Sequence, residues 1–205
     1  MKNYILYIGD YLKEGKIKAY TITNGLLINE EMLKFFKQYN FNVGFSLDGI
    51  KKVHDKYRCK SFDKVIEKIE LYKKVYGFYP TMNCTVGEDV ITNSRETIEF
   101  FSKFNSKITF SRMIGKYGIS MNEFKKFIDV ASLTLQIRSG GYDCTMYGGK
   151  CAAGMNNYFF ANGKVYICGN CVDKDSIISS STKIEDIKFE INEFNREKCY
   201  KEGVL

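Results

Sequence analysis

Four of the seven cysteines in this 205-residue chain stand close together, in DCTMYGGKCAAGMNNYFFANGKVYICGNC. Cys144 and Cys151 form a C-x6-C pair, and Cys168 and Cys171 a C-x2-C pair. Two thiolate pairs on a loop and a hairpin can converge on one ion or cluster, and thiolates suit zinc and iron–sulfur centres alike. Spacing alone does not choose between them. Zinc ribbons usually join two C-x2-C knuckles, which the x6 gap fits less well, and the single histidine, His54, is too far away in sequence for a mixed Cys/His finger. A lone free cysteine is often a small buried hydrophobe, and that is the expectation for Cys59 and Cys84. Cys199 is isolated but stands where an additional ligand could fold back.

The expected compartment bears on these thiols. No apolar run has the length needed to cross a bilayer. The first residues, MKNYILYIGDYLKEGKIK, interleave charges with apolar positions and show no small-residue cleavage site. Neither signal peptide nor anchor is expected, which makes the cytoplasm the expected location. A reducing compartment disfavours structural disulfides, and an odd number of cysteines suits a complete disulfide framework poorly. The formal charge of +7 comes from lysines scattered among acids, as in KVIEKIELYKK. That pattern belongs to solvated helix faces rather than to a nucleic-acid surface.

The elements that would carry such a site alternate in type. After a mixed helical stretch over 2–14, KIKAYTITNG reads as a strand and INEEMLKFFKQY as a helix with Met32, Leu33, Phe35 and Phe36 on its apolar face. NVGFSLDG is a second strand. A long helix follows from Ser61, expected as its N-cap, to the glycine stop at Gly77. TMNCTVG is a third strand, and Asn93 with Glu96 suggests a cap for RETIEFFSKF. SKITFSRMIG is a fourth strand, and Ser120 with Glu123 a capping box for FKKFIDVASLTLQIR. Strand–helix alternation at this spacing predicts an α/β fold, a partial parallel (β/α) barrel of about four βα units over residues 1–138. A small cysteine-rich domain with a hairpin around Asn162-Gly163 follows over 139–205, ending in a helix from Ile184 to Lys198.

Together these motifs resemble radical S-adenosylmethionine (SAM) enzymes that carry a SPASM-type C-terminal cluster domain. TITNGLLINEEMLKFF is similar to the family's third strand, TNG turn and next helix. NVGFSLDGIKKVHDKYR resembles its fourth strand, with S-L-D-G and H-D-x-x-R, and SFDKVIEKI the helix after it. GGKCAAG and NGKVYIC resemble the opening of the cluster domain, with its G-x4-C. The resemblance implies that Ser46 and Arg58 contact SAM and that Asn24 and Gly25 lie at the same site or simply form the strand-to-helix turn. Asp48 either caps its loop or touches ligand, and His54 is a helix residue rather than a catalyst. It also implies an auxiliary [4Fe–4S] cluster on Cys144, Cys151 and Cys168, with Cys171 and Cys199 competing for the remaining position.

The sequence departs from the family in one central respect. No C-x3-C-x2-C run, the family's holder of the SAM-cleaving cluster, is present, and the glycine-rich second-strand motif is absent too. The expectation is therefore a fragment or split form, shortened at both ends. Such a chain would be inactive in isolation and would act on a peptide or protein substrate, with a second chain supplying the N-terminal part. Two alternatives stay open: a non-catalytic iron–sulfur or zinc module that recognises a peptide or partner, and a zinc-stabilised α/β protein unrelated to SAM.

Overall fold

The computed structural model describes residues 2–113, 117–138, 159–166 and 177–180. The chain divides into two compact units, residues 1–113 with 117–140, and 114–116 with 141–205.

In the first unit, helices α1 (Lys2–Tyr7) and α2 (Gly9–Lys13) precede strand β1 (Tyr20–Thr23). Then come α3 (Glu30–Gln38), β2 (Asn42–Ser46), α4 (Lys51–Tyr57), α5 (Phe62–Tyr76) and β3 (Met82–Val86). The unit continues with α6 (Glu88–Thr92), α7 (Ser94–Ser102), β4 (Ile108–Arg112), α8 (Met121–Ser132) and β5 (Ile137–Arg138). The five strands are parallel and lie side by side in chain order. Because parallel crossovers share one hand, a strand order that never reverses puts every connecting helix on the same face. This is the wall of a (β/α) barrel rather than a doubly wound sheet.

The side chains follow that asymmetry. Residues alternate between faces along a strand, and Val43, Phe45, Met82, Cys84, Ile108 and Phe110 are buried. Their face meets the helices through edge-on ring contacts: Phe45 on Tyr72 of α5, and Phe110 on Phe101 of α7 and Phe127 of α8. Each such pair contributes about 0.5–1.5 kcal/mol beyond area burial. The other face carries Tyr20, Ile22, Gly44, Ser46, Asn83, Thr85, Thr109 and Ser111, brought into line by the register. None of these residues is buried except Gly44, which lies under the Tyr20 ring. The Tyr20 hydroxyl reaches across β2 to Thr81 Oγ1 and Asn83 Oδ1, each at 3.2 Å.

Several expected elements are observed. The helix expected in INEEMLKFFKQY is α3, and Asn29, not singled out from sequence, caps it by accepting from the Met32 N–H at 2.8 Å. The Ser120–Glu123 capping box opens α8. Gly77 closes α5 with φ +89°, the left-handed geometry of a helix C-terminus. In the second unit, β6 (Phe159–Ala161) and β7 (Lys164–Tyr166) form the expected hairpin, extended by β8 (Ile177–Ser179). Asn162 and Gly163 both have positive φ, +50° and +71°, as a two-residue type I′ turn requires. The helix expected over 184–198 lies outside the described residues.

Four expectations are corrected. The sheet has a fifth strand where α8 was expected to continue. The stripe Phe124, Phe127, Ile128, Ala131 reaches Leu135 but would next place Arg138 on the buried face, so the helix stops at Ser132 and Ile137–Arg138 pairs with β4. Ser61 does not cap α5, because its hydroxyl contacts His54 and Asp55 Oδ1 accepts the Phe62 N–H instead, at 2.9 Å. Asn93 does not cap α7: its side chain donates to the Asp89 carbonyl, and Glu96 pairs with Lys52. Cys84 is buried as expected, but Cys59 is exposed in a tight turn. Among the described residues no helix is long and apolar enough to cross a membrane.

Gly25 tests how tightly the β1–α3 turn is specified. Its φ is +77°, and an added Cβ would lie 2.7 Å from the buried Phe45 ring. Gly77 has a similar φ but open space around it. We predict that Gly77→Ala costs about 1 kcal/mol, the left-handed backbone penalty alone. Gly25→Ala should cost about 2–4 kcal/mol because overpacking adds to that penalty. Urea denaturation of the two variants measures the difference.

Candidate functional site

Ligands of parallel α/β sheets bind beyond the carboxyl ends of the strands, where loops and helix starts meet. Here that edge is organised by the segment after β2, Leu47 to Ser61. The β2–β3 ladder pairs only Phe45 with Met82 and Ser46 with Asn83, against five registered pairs between β3 and β4. Beyond it the Leu47 N–H donates to the Asn83 carbonyl at 2.9 Å. The Thr85 N–H then donates to Asp48 Oδ1 at 2.8 Å. A carboxylate thus carries the pairing one step further as the strands part.

Asp48 has a second task. It is 4% exposed, and its other oxygen accepts from Arg58 Nε in a short charge-assisted contact. Arg58 is the residue after α4, and its side chain stays about one-third exposed, at 31%. Among the described residues no further hydrogen bond engages the guanidinium. A guanidinium held through Nε offers its terminal nitrogens as a fork, the geometry that suits a carboxylate.

His54, in the middle of α4, is fully buried. Its Nδ1 accepts the Asp48 backbone N–H at 3.2 Å, and its Nε2 lies 3.1 Å from Ser61 Oγ. Burial holds its pKa below the ordinary histidine range, against the opposing pull of Asp48. The α4–α5 corner is tight, with Cys59 and Lys60 both in left-handed backbone at φ +51° and +53°. Non-glycine residues there cost about 1–2 kcal/mol each, offset by the contacts of His54, Asp55 and Ser61. Above the corner, Asp89 of α6 accepts from Lys56 Nζ at 2.7 Å and from the Tyr57 hydroxyl, joining the helices that follow β2 and β3.

The residues singled out from sequence divide as follows. Ser46 ends β2 on the uncovered face, with its hydroxyl free of hydrogen bonds among the described residues, two positions before Asp48. Asn24 follows Thr23, which pairs with Phe45, so it lies at the same edge beside Ser46. Its Oδ1 accepts the Leu26 N–H at 3.2 Å, an Asx turn, and the Gly25 N–H donates to Thr23 Oγ1. Asn24 and Gly25 therefore shape the turn. Cys144, Cys151, Cys168, Cys171 and Cys199 lie outside the described residues. Asp48, His54 and Ser61 form a hydrogen-bonded support, a joint role that their separate readings as loop cap or ligand contact, helix residue and helix cap did not include. The only signals for it were the S-L-D-G and H-D-x-x-R motifs themselves.

The edge thus presents a guanidinium held by Asp48, a serine hydroxyl without a hydrogen bond among the described residues and a largely small, polar sheet face. Among the described residues no cluster of His, Cys, Asp and Glu could hold a metal.

Comparison with known proteins points the same way. No protein-family model matches the sequence. The chain is 40% identical over 91 residues to the cysteine-type anaerobic sulfatase-maturating enzyme of Clostridium novyi (strain NT), covering 40% of this chain and 24% of the relative. It is 30% identical over 131 residues to the corresponding Clostridium perfringens (strain ATCC 13124) enzyme, covering 57% of this chain and 35% of the relative. The solved structure of native anSMEcpe with bound AdoMet and Kp18Cys peptide superposes with a TM-score of 0.65 at 21% identity, over 97% of this chain and 64% of that one. The matched segments thus span between a quarter and two thirds of these proteins. These relatives are anaerobic sulfatase-maturating enzymes, of the radical SAM and SPASM type, and the fold matches part of a radical SAM barrel.

Removing the hub should be costly. Asp48→Ala orphans the Thr85 N–H and frees Arg58, and we expect a loss of about 2–4 kcal/mol in urea denaturation. Asp48→Asn keeps an acceptor for Thr85 and should lose about half as much. Hydrogen exchange at the Thr85 amide should accelerate in the alanine variant and remain slow in the asparagine variant.

Proposed function

We propose that this chain is the SAM- and peptide-facing part of a radical SAM enzyme that modifies a peptide or protein side chain. The observation that carries the reading is the uncovered face of the sheet. A closed (β/α) barrel without an internal ligand fills its interior with bulky branched residues. Here β1 places Tyr20 and Ile22 on that face, but β2 to β4 place Gly44, Ser46, Asn83, Thr85, Thr109 and Ser111 there, small and mostly polar, with an Asp48-held Arg58 at their carboxyl edge. Such a wall suits a polar ligand rather than a packed core. The solved neighbour holds AdoMet and a peptide, which suggests the ligand classes.

In this reading Arg58 binds the SAM carboxylate through its two Nη groups, and Asp48 keeps the fork aimed. Ser46 donates its hydroxyl to the same molecule, and Asn24 with Gly25 holds the adjoining turn close to β2. Thr85, Thr109 and Ser111 offer hydrogen-bonding partners to a peptide lying along the sheet. SAM, reduced by an iron–sulfur cluster, supplies a 5′-deoxyadenosyl radical able to take a hydrogen atom from substrate. The protein's contribution is orientation and exclusion of water.

The sequence holds no C-x3-C-x2-C run, so the reducing cluster must rest on residues other than these. We therefore propose that the chain works as a fragment or split form and does not cleave SAM alone. Residues 139–205 would form the opening of a SPASM-like domain after a barrel part over 1–138. Cys144, Cys151 and Cys168, completed by Cys171 or Cys199, would bind an auxiliary [4Fe–4S] cluster in a reducing, cytoplasmic setting.

Anaerobic reconstitution and calorimetry test these assignments. The reconstituted chain should bind SAM, and Arg58→Ala should weaken binding about 10–100-fold, the cost of a charge-assisted pair. Ser46→Ala should weaken it about threefold to tenfold, the cost of a neutral hydrogen bond. Unchanged affinity in the Arg58 variant overturns the SAM assignment. Iron with equimolar sulfide supports the auxiliary cluster, whereas colourless stoichiometric zinc opposes it. Formation of 5′-deoxyadenosine by the chain alone under reductant contradicts the split-form reading.

A further inference from the structure

We infer that His54 is a positioning residue for Arg58, acting through Asp48 by means of an unprotonated Nδ1. The ring and the backbone of this one residue hold both members of the ion pair. Nδ1 accepts the Asp48 N–H at 3.2 Å, and the His54 carbonyl accepts the Arg58 N–H at 2.9 Å. Since a backbone N–H can only donate, Nδ1 must present its lone pair, which leaves the proton on Nε2, facing Ser61 Oγ at 3.1 Å. The ring is fully buried and meets the Phe62 ring edge-on at 5.8 Å between centroids. It is therefore wedged between the Asp48 loop and the start of α5, with one nitrogen committed to each.

The consequence concerns the direction of the guanidinium. Asp48 carries Thr85 on one oxygen and Arg58 on the other, so a small rotation of its backbone swings the carboxylate and Arg58 with it. The bond to Nδ1 prevents that rotation. An aliphatic side chain would fill the space but leave the Asp48 N–H buried without an acceptor, and the loop would turn to find water. The groups facing the ring are the Asp48 and Asp55 carboxylates, which favour its protonation, and the Arg58 guanidinium, which opposes it together with burial, the largest effect. Protonation would put a hydrogen on Nδ1 directly against the Asp48 N–H. Because the folded pKa lies below the unfolded value of about 6.5, the neutral ring's contribution is complete above that value. It is lost as pH falls through the lowered folded pKa.

The effect on ligand binding rests on the proposed SAM role of Arg58, whereas the positioning itself does not. The test uses the full chain and three variants that divide the work of the ring. Asparagine places its amide oxygen near the Nδ1 position, glutamine reaches toward the Nε2 position, and leucine offers neither. The Arg58 Nε–H resonance, assigned by its loss in Arg58→Lys, is read by NMR without SAM, and SAM affinity is read by calorimetry. His54→Asn should keep the Arg58 resonance in place and hold affinity within about threefold near neutral pH. It should also abolish the weakening of binding expected of the parent chain as pH falls below the ordinary histidine range. His54→Gln and His54→Leu should shift or broaden the resonance and lower affinity about tenfold. A wild-type resonance in His54→Leu overturns the inference, as does His54→Gln behaving like His54→Asn. If the leucine variant fails to fold, the asparagine and glutamine pair decides alone. If the resonance responds as expected while SAM affinity ignores both His54→Leu and Arg58→Ala, the positioning stands and the SAM reading falls.

Discussion

The carboxylate of Asp48 is the point on which the rest of the described site depends. Its two oxygens and its backbone N–H engage three different neighbours: the next strand, the arginine after α4, and the histidine within α4. A buried ionised carboxylate is expensive unless it is paired and hydrogen-bonded, and here both conditions are met. Losing Arg58 or the Thr85 N–H leaves the carboxylate less well compensated, and losing His54 leaves the Asp48 N–H without its acceptor. The hub is therefore both a stabilising feature and an arrangement in which each member constrains the geometry of the others.

The second constraint is the asymmetry of the sheet. Most parallel sheets are buried on both faces and read as continuous apolar runs. In this chain β3 and β4 alternate instead, with Met82, Cys84 and Val86 buried while Asn83 and Thr85 are only partly covered. Sequential strand order places the helices on one side, and the polar inward residues leave the other side suited to ligand. The same residues that prevent a closed apolar interior present hydrogen-bonding groups on that face.

Much of the scaffold was legible in the sequence because its signals are local. Helix periodicity, the Ser120–Glu123 box, the Asn162-Gly163 turn and Gly77 each act within a few residues. The misreadings arose where a distant partner outcompeted a local one. Ser61 carries the right side chain for an N-cap, yet its hydroxyl goes to a histidine seven positions earlier, and Asp55 caps the helix in its place. Two-residue β5 escaped notice because the preceding apolar stripe continues to Leu135, and only the pairing with Ile108 shows where it ends. Ser46 and Arg58 stand out through motif resemblance rather than through composition. The bonds that join Arg58, Asp48, His54 and Thr85 are not legible there, since no periodicity encodes a side chain bonding to a backbone amide on another strand.

The α4–α5 corner also has a kinetic meaning. The contacts of His54 with Asp48 and Ser61, and of Arg58 with Asp48, span six, seven and ten residues, whereas Asp48 reaches Thr85 across thirty-seven. Closing a loop costs entropy that grows with its length, so the corner can assemble as a nearly autonomous unit before the sheet forms. The last bond to join it is the one that continues the short β2–β3 ladder. Completion of the arginine clamp is thereby tied to the docking of two βα units, and a chain in which those units have not yet met presents its guanidinium without its final anchor.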